Sequence, residues 1–360
     1  RNPRSDRAAR MADGVMGARH VKLHQALHGY AEGHREIASS IRLKPRDGKS
    51  MLVLSDVSGP GARIDDGGYL TGYPLVESGL YAFAKTWAAP EMPRPGCVWT
   101  HTLLIDFADL ANLDSLTPLI GAFRRPQSDG HTNYTKPLHF DCSAEQSALC
   151  SSDESRARRI LAALYGKPKV PIVTTRDIGL DVDRLVTALW SQQWPRLRRS
   201  FRFCTLAATD RSVEGATFDL QLLPPDNQAF RTRFPKAIEA QSVSASGVWL
   251  DKAIDDLMRP QRNGLRSFLR LVGGDVASGR AAFTPLCRLY GLIESFRSEP
   301  RSVGSAIDLL QDELGASQAR SARALVANAA LREAERLDES GLDYLLEHLD
   351  LIEASKLSTE

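Results

Sequence analysis

Two short stretches concentrate the side chains that could do chemistry. The first is His24-Gln25-Ala26-Leu27-His28-Gly29-Tyr30-Ala31-Glu32-Gly33-His34. The second is Arg94-Pro95-Gly96-Cys97-Val98-Trp99-Thr100-His101-Thr102-Leu103-Leu104-Ile105. Five of the eight histidines lie between His20 and Ile105, so the search for a site starts there. Imidazole exchanges its proton near neutral pH and also binds metals.

His24 and His28, four apart, would share one face of a helix, as in metal-binding helices. However, no glutamate stands between them in the zinc-protease pattern, and Gly29 and Gly33 sit badly in a helix. On strands, a site built from these histidines, His34 and His101 is geometrically conceivable. The plainer reading is histidines satisfied by hydrogen bonds in a β-rich domain, with no metal and no cofactor. As an enzyme, the chain would use His28, His34 or His101, with His34 or His101 as general base and Asp56, Glu32 or Asp65 as the orienting carboxylate. Ser39, Ser40, Ser55, Thr100 and Cys97 are then the conceivable nucleophiles. None sits in a Gly-x-Ser-x-Gly elbow, and Cys97 reads more simply as a small buried hydrophobe.

Arg94-Pro95-Gly96 can cradle an anion, because arginine supplies a fork and glycine lets the backbone approach. The competing reading is a turn that feeds a buried strand, with Arg94 paired to Glu91. Neither a phosphate loop of the Gly-x-x-x-x-Gly-Lys-Ser/Thr type nor a dinucleotide fingerprint is present. Further on, Trp190, Trp194, Arg196, Arg198, Arg199 and Arg202 mix aromatic and basic residues, one recipe for single-stranded nucleic acid. The alternative is an exposed basic helix end above an aromatic core. With 46 basic and 44 acidic residues the chain has a net charge of +2, which gives no global drive toward nucleic acid.

The elements that must position these residues read as α+β. His20 to Leu27 and His34 to Leu43 look like strands about a glycine-bearing bend, and Met51 to Ser55 like another short strand. Leu80 to Trp87 and Cys97 to Ile105 are aromatic and β-branched strands joined by the proline-rich stretch 89–95. Leucines 110, 113, 116 and 119 approach helical spacing, limited by Pro118. A polar stretch without apolar periodicity marks a linker over 127–142. A helix from Ser143 to Leu164, a strand Val170 to Thr175, a helix Asp181 to Trp190 and strands Phe201 to Leu206 and Phe218 to Leu223 follow. From residue 244 onward six segments carry helical apolar stripes. The expected organisation is therefore a disordered tail (1–18), a β-rich N-terminal recognition domain (19–126), the linker (127–142), a mixed α/β middle domain (143–243) and an all-helical C-terminal region (244–360).

At 360 residues the chain exceeds the usual size of one core, so two or three domains are expected. Five cysteines without a CxxC pair argue against a disulfide framework and against a cysteine-rich zinc module. That favours a reducing compartment, hence the cytoplasm. No apolar run approaches the roughly 20 residues that span a bilayer, so no membrane is expected as partner. The chain opens on Arg1, and Met11 and Met16 are plausible starts.

Several of these segments together resemble a known family. His28-Gly29-Tyr30 with Gly33-His34, Leu54-Ser55-Asp56, Tyr69-Leu70-Thr71-Gly72-Tyr73-Pro74-Leu75, Thr86-Trp87 and Arg94 through His101 look like the N-terminal domain of bacterial GTPase-associated proteins of conflict and defence systems. Trp194-Pro195-Arg196-Leu197-Arg198 with Phe201-Arg202-Phe203-Cys204-Thr205 resembles their middle region, so the resemblance runs over about 20–225. It implies a non-catalytic adaptor that couples a separately encoded GTPase-like protein to an effector, and it carries over no catalytic residue. Because such proteins are longer, it also implies a fragment or short form. The resulting expectation is a recognition groove lined by Tyr30, His34, Arg94, Trp99 and His101.

Overall fold

The computed structural model describes residues 19–127, 130–142, 148–177, 181–213, 215–225, 230–261, 263–299, 301–315 and 318–352. The tail expected at 1–18 and the first turn of the helix expected from Ser143 fall outside these residues. The organising element is β1 (Arg19–Tyr30), twelve residues long and bonded along both edges. One edge pairs with β5 (Val98–Asp106). The other pairs first with β6 (Leu138–Cys142) and then with β2 (His34–Ser39). β3 (Tyr69–Leu75) and β4 (Leu80–Ala88) extend this antiparallel half beyond β5.

The second half is parallel. β7 (Ile172–Thr175), β8 (Phe203–Cys204), β9 (Leu220–Leu223) and β10 (Ile238–Glu239) run in the order β10-β7-β9-β8, and β8 then joins β3 antiparallel. Parallel neighbours need crossovers, and α-helices supply one here between β7 and β8. The seam is tight at Gly72, where a Cβ would lie 2.3 Å from the Phe203 ring. Two residues further along the same seam, Thr205 Oγ1 accepts the Leu70 amide at 2.8 Å.

In chain order the helices are α1 (Pro45–Ser55), α2 (Phe107–Asn112), α3 (Glu154–Gly166), α4 (Val182–Gln192), α5 (Pro195–Ser200), α6 (Phe230–Arg233), α7 (Val248–Met258), α8 (Leu265–Val272), α9 (Phe283–Ser295), α10 (Ser302–Asp312), α11 (Arg320–Leu331) and α12 (Glu339–Glu347). The architecture is thus a β-rich N-terminal part, a mixed α/β middle and a helical C-terminal part, as the sequence implies. One sheet face, with Val21, Leu23, Phe83, Leu103 and Ile105, shares a single apolar cluster with α3, α4 and the helices from α7 onward. The other face, with Ala26, Tyr69, Tyr73 and Leu104, is covered by Met51 and Leu54 of α1 and by Phe218 and Phe234.

Three expectations change. Met51 to Ser55 ends a helix rather than forming a strand: Met51 and Leu54, three apart, are buried, while Leu52 and Val53 are 38% and 50% exposed. That is the one-sided burial of an amphipathic helix. Residues 138–142 of the expected linker are β6, hydrogen-bonded to β1. The boundary between N-terminal and middle parts is crossed by one ten-stranded sheet, because β8 bonds both β3 and β9.

Candidate functional site

Strand parity decides which of the chemical residues can meet. Leu27 lies opposite His101 and His28 opposite Thr100, so His28 and His101 project from opposite faces of the sheet. A site shared by His28, His34 and His101 is therefore not formed. Among the described residues no group of three His, Cys, Asp or Glu is placed to hold a metal ion.

His101 is sealed. It is fully buried, accepts the Arg124 amide at Nδ1 (3.1 Å) and donates from Nε2 to Gln25 Oε1 (3.0 Å). Gln25 in turn donates to the carbonyls of Asn133 and Lys136. Phe123 and Tyr134 stand edge-on to the imidazole at 5.7 and 4.9 Å. Burial, followed by the charge of Arg124, pushes its pKa down to about 3. With both nitrogens engaged and no exposure, His101 holds Arg124 and, through Gln25, Asn133 and Lys136 against the sheet, and it has no atom to offer a ligand. It is not part of a groove.

Trp99 projects from the same face as His101 and is half-buried. Its indole lies on Gly29, where a Cβ would come within 2.2 Å of the ring. Its Nε1 donates to Glu91 Oε1 (2.9 Å), and Arg125 clamps both Glu91 oxygens at 2.8 and 2.7 Å. Arg125, rather than Arg94, is therefore the partner of Glu91.

The other face gathers Tyr30, His28, His34, Ser55 and Asp56. A three-residue bend, with Glu32 at φ 57°, closes the β1–β2 hairpin at the pair Tyr30 and His34. Ile37 is an extra residue in β2, because Leu27 faces Ala38 and His28 faces Glu36. The rings of His28 and His34 stack at 6.1 Å. His34 Nε2 lies 2.9 Å from Ser55 Oγ, and Nδ1 lies 3.9 Å from Asp56 Oδ1. Burial lowers the pKa of His34, with Asp56 pulling the other way. Burial, then His34, takes His28 to about 3.

This trio has the residue types of a serine hydrolase, but its hydrogen bonding runs the wrong way. Ser55 Oγ donates its one proton to the Leu52 carbonyl (2.9 Å), the common back-bond of a serine near a helix end. His34 must then be the donor to Ser55. Ser55 itself is fully buried, so an incoming carbonyl carbon could not reach it. The bond ties β2 to the end of α1.

That helix end is held from far away in sequence. Arg211 donates to the carbonyls of Leu54 (2.9 Å), Val57 (3.1 Å), Val53 and Asp56 (both 3.3 Å), while Thr100 Oγ1 donates to that of Ser55 (2.6 Å). A helix leaves its last carbonyls unsatisfied, and a cation there also interacts favourably with the negative end of the helix dipole. Sequence reasoning missed Arg211, since nothing local marks it. Its acceptors lie more than 150 residues away.

What remains accessible is a surface built by the hairpin tip, the exit of α1 and the proline-rich loop. Arg94 lies over the Tyr30 ring at 5.6 Å. Asp56 is half-exposed beside His34. Next to them a cleft of about 430 Å³ is lined by Val57, Ile64, Met92 and Val98, together with Pro93 and Pro95 on either side of Arg94. Its lining is apolar, and the chain places Asp56 next to Val57 and Arg94 between Pro93 and Pro95, which suits recognition of another molecule.

Residues 22–123 match the model of GTPase-associated protein 1, N-terminal domain type 1. That span is similar to the N-terminal domain of GTPase-associated proteins. It runs from β1 through the turn after α2 and contains the hairpin, α1, the proline-rich loop and both histidine settings. The matched span is not closed by itself: β6 completes one edge of β1 and β8 the open edge of β3. The match does not reach the middle-region segments from Trp194 to Thr205. No curated protein matches the chain.

The candidate nucleic-acid residues divide. Trp194 is buried against Gly273 and Phe283, and Arg198 is fully buried, donating to Leu113 O (2.5 Å) and Ser191 O beneath the Trp190 ring. Neither can touch a strand of nucleic acid. Arg196, Arg199 and Arg202 face a separate cleft. No helix among the described residues is long and apolar enough to cross a membrane.

Proposed function

We propose that this chain is a non-catalytic recognition component of a bacterial, cytoplasmic GTPase-associated defence system. It binds a separately encoded GTPase-like protein and relays that contact to an effector. The observation that carries the reading is the GTPase-associated domain over 22–123, whose accessible chemistry is the Tyr30, His34, Asp56 and Arg94 surface. Arg94 and Tyr30 are the anchors, since arginine and tyrosine dominate the binding energy of many interfaces. The sheet behind them is continuous with the helical part, which gives a stiff support for a second partner.

The test is co-purification of the chain with GTPase-like proteins encoded beside it, in the presence of GDP or of a non-hydrolysable GTP analogue. A complex retained through size exclusion supports the reading. Failure to bind with either nucleotide removes it.

A second reading, a hydrolase using His34, Ser55 and Asp56, rests on the 2.9 Å approach of His34 to Ser55. A fluorophosphonate probe separates the two. The adaptor reading expects no adduct on Ser55, and labelling that is lost in Ser55→Ala would establish the hydrolase.

A further inference from the structure

A second cleft, of about 630 Å³, lies at the β3–β4 turn, the opposite end of β4 from the proline-rich loop of the site above. It is bounded by Pro74 and Val76 of that turn, Phe107 of α2, α5, and the segment 276–279. Three arginines line it: Arg196 and Arg199, three apart and so on one face of α5, and Arg202 just past its end. No carboxylate is among the lining residues. Among the described residues Arg196 and Arg199 form no ion pair. Arg199 instead lies over the Phe107 ring at 5.2 Å, which holds its guanidinium at the cleft wall. Arg202 is fixed from behind. Its amide donates to Asp219 Oδ2 (2.8 Å), whose other oxygen takes Arg280 at 3.3 Å.

Three cations converging on one concavity repel one another, and that cost is relieved when an anion lies between them. Guanidinium forks match the oxygens of phosphate, and the volume falls in the range of small-molecule pockets. The floor is apolar. Val76, 67% exposed, and Pro74 offer surface to a nonpolar body. The aromatic that could extend a stacking track, Trp194, shows only an edge, since it is 1% exposed. Polymer binding uses a run of such platforms along a groove.

We propose that this cleft binds a small phosphorylated molecule of nucleotide size, with Arg196, Arg199 and Arg202 on its phosphates and Pro74, Val76 and Phe107 against its body. The site is separate from the partner surface and does not depend on the adaptor reading.

Calorimetric titration of the full chain with pyrophosphate, ATP, adenosine and a single-stranded oligonucleotide tests it. The expected result is binding of ATP and pyrophosphate, ATP the tighter, with none of adenosine. Affinity for ATP should fall at least tenfold in the double variant Arg196→Ala/Arg199→Ala, whose thermal midpoint should match wild type because both side chains are exposed. Arg202→Lys, which keeps charge but loses the fork, should fall less. No binding of either ATP or pyrophosphate by the wild type would overturn the proposal. So would unchanged affinity in the double variant, or oligonucleotide binding tighter than ATP through the same arginines.

Discussion

His101 on β5 and His34 on β2 are separated by β1 in the same ten-stranded sheet, yet they occupy opposite chemical worlds. His101 has both nitrogens satisfied by Gln25 and by the Arg124 amide, and its ring is enclosed by Phe123 and Tyr134. His34 borders solvent, shares a bond with Ser55 and has Asp56 nearby. The difference comes from which face of the pleat each residue occupies, because a one-residue step along a strand exchanges core for exterior. Residue type identifies a candidate, and parity decides whether the candidate is structural or available.

The largest effect expected from this contrast is acid sensitivity. His28 and His101 are held neutral with pKa values of about 3, whereas in the unfolded chain each takes up a proton near pH 6.5. Stability from this source is therefore complete above pH 6.5 and declines as pH falls toward 3. Between pH 7 and 4.5 each histidine should lose roughly 2–3 kcal/mol. Urea unfolding at the two pH values checks this. His101→Phe should show a pH difference smaller than wild type by about that amount, and an equal difference would break the sealed description of His101.

Arg211→Met should cost about 2–3 kcal/mol, because four carbonyls at the end of α1 lose their donor. Hydrogen exchange should quicken locally in residues 53–57, which would show that the open surface depends on a support from the middle region. Uniform loss of protection would argue against a local clamp. Gln25→Leu, on the sealed side, should cost on the order of 1–2 kcal/mol and loosen residues 131–136. It should leave partner binding intact once the protein is folded. Arg94→Ala should change stability by less than about 0.5 kcal/mol, being a surface substitution, yet weaken partner binding at least tenfold.

Much of the fold was legible because the strands carry plain signals. β4 and β5 are aromatic and β-branched, and the C-terminal helices show apolar stripes. Met51-Leu52-Val53-Leu54 misled, since a four-residue apolar run fits a buried strand as well as a helix. β6 was obscured because it is short and pairs with β1, far away in sequence, and β8, although read as a strand over Phe201 to Leu206, gave no sign of its pairing with β3. At the site, the composition of the clusters drew attention to the correct hairpin. It could not show that Trp99 and His101 leave the opposite face from Tyr30 and His34, since that needs the register of β1 against β5. Arg198 and Arg211 were beyond reach for a different reason: their buried charge is satisfied by backbone carbonyls, which no residue type announces.

On the proposed reading, the Tyr30–Arg94 face receives the partner while the His101 side only holds it in place. The affinity of a GTPase-like protein that co-purifies with this chain, measured for wild type, Arg94→Ala and Gln25→Leu under conditions where all three are folded, addresses it directly. The expected result is a tenfold or greater loss for Arg94→Ala and less than a twofold change for Gln25→Leu. Equal losses, or a loss confined to Gln25→Leu, would contradict it.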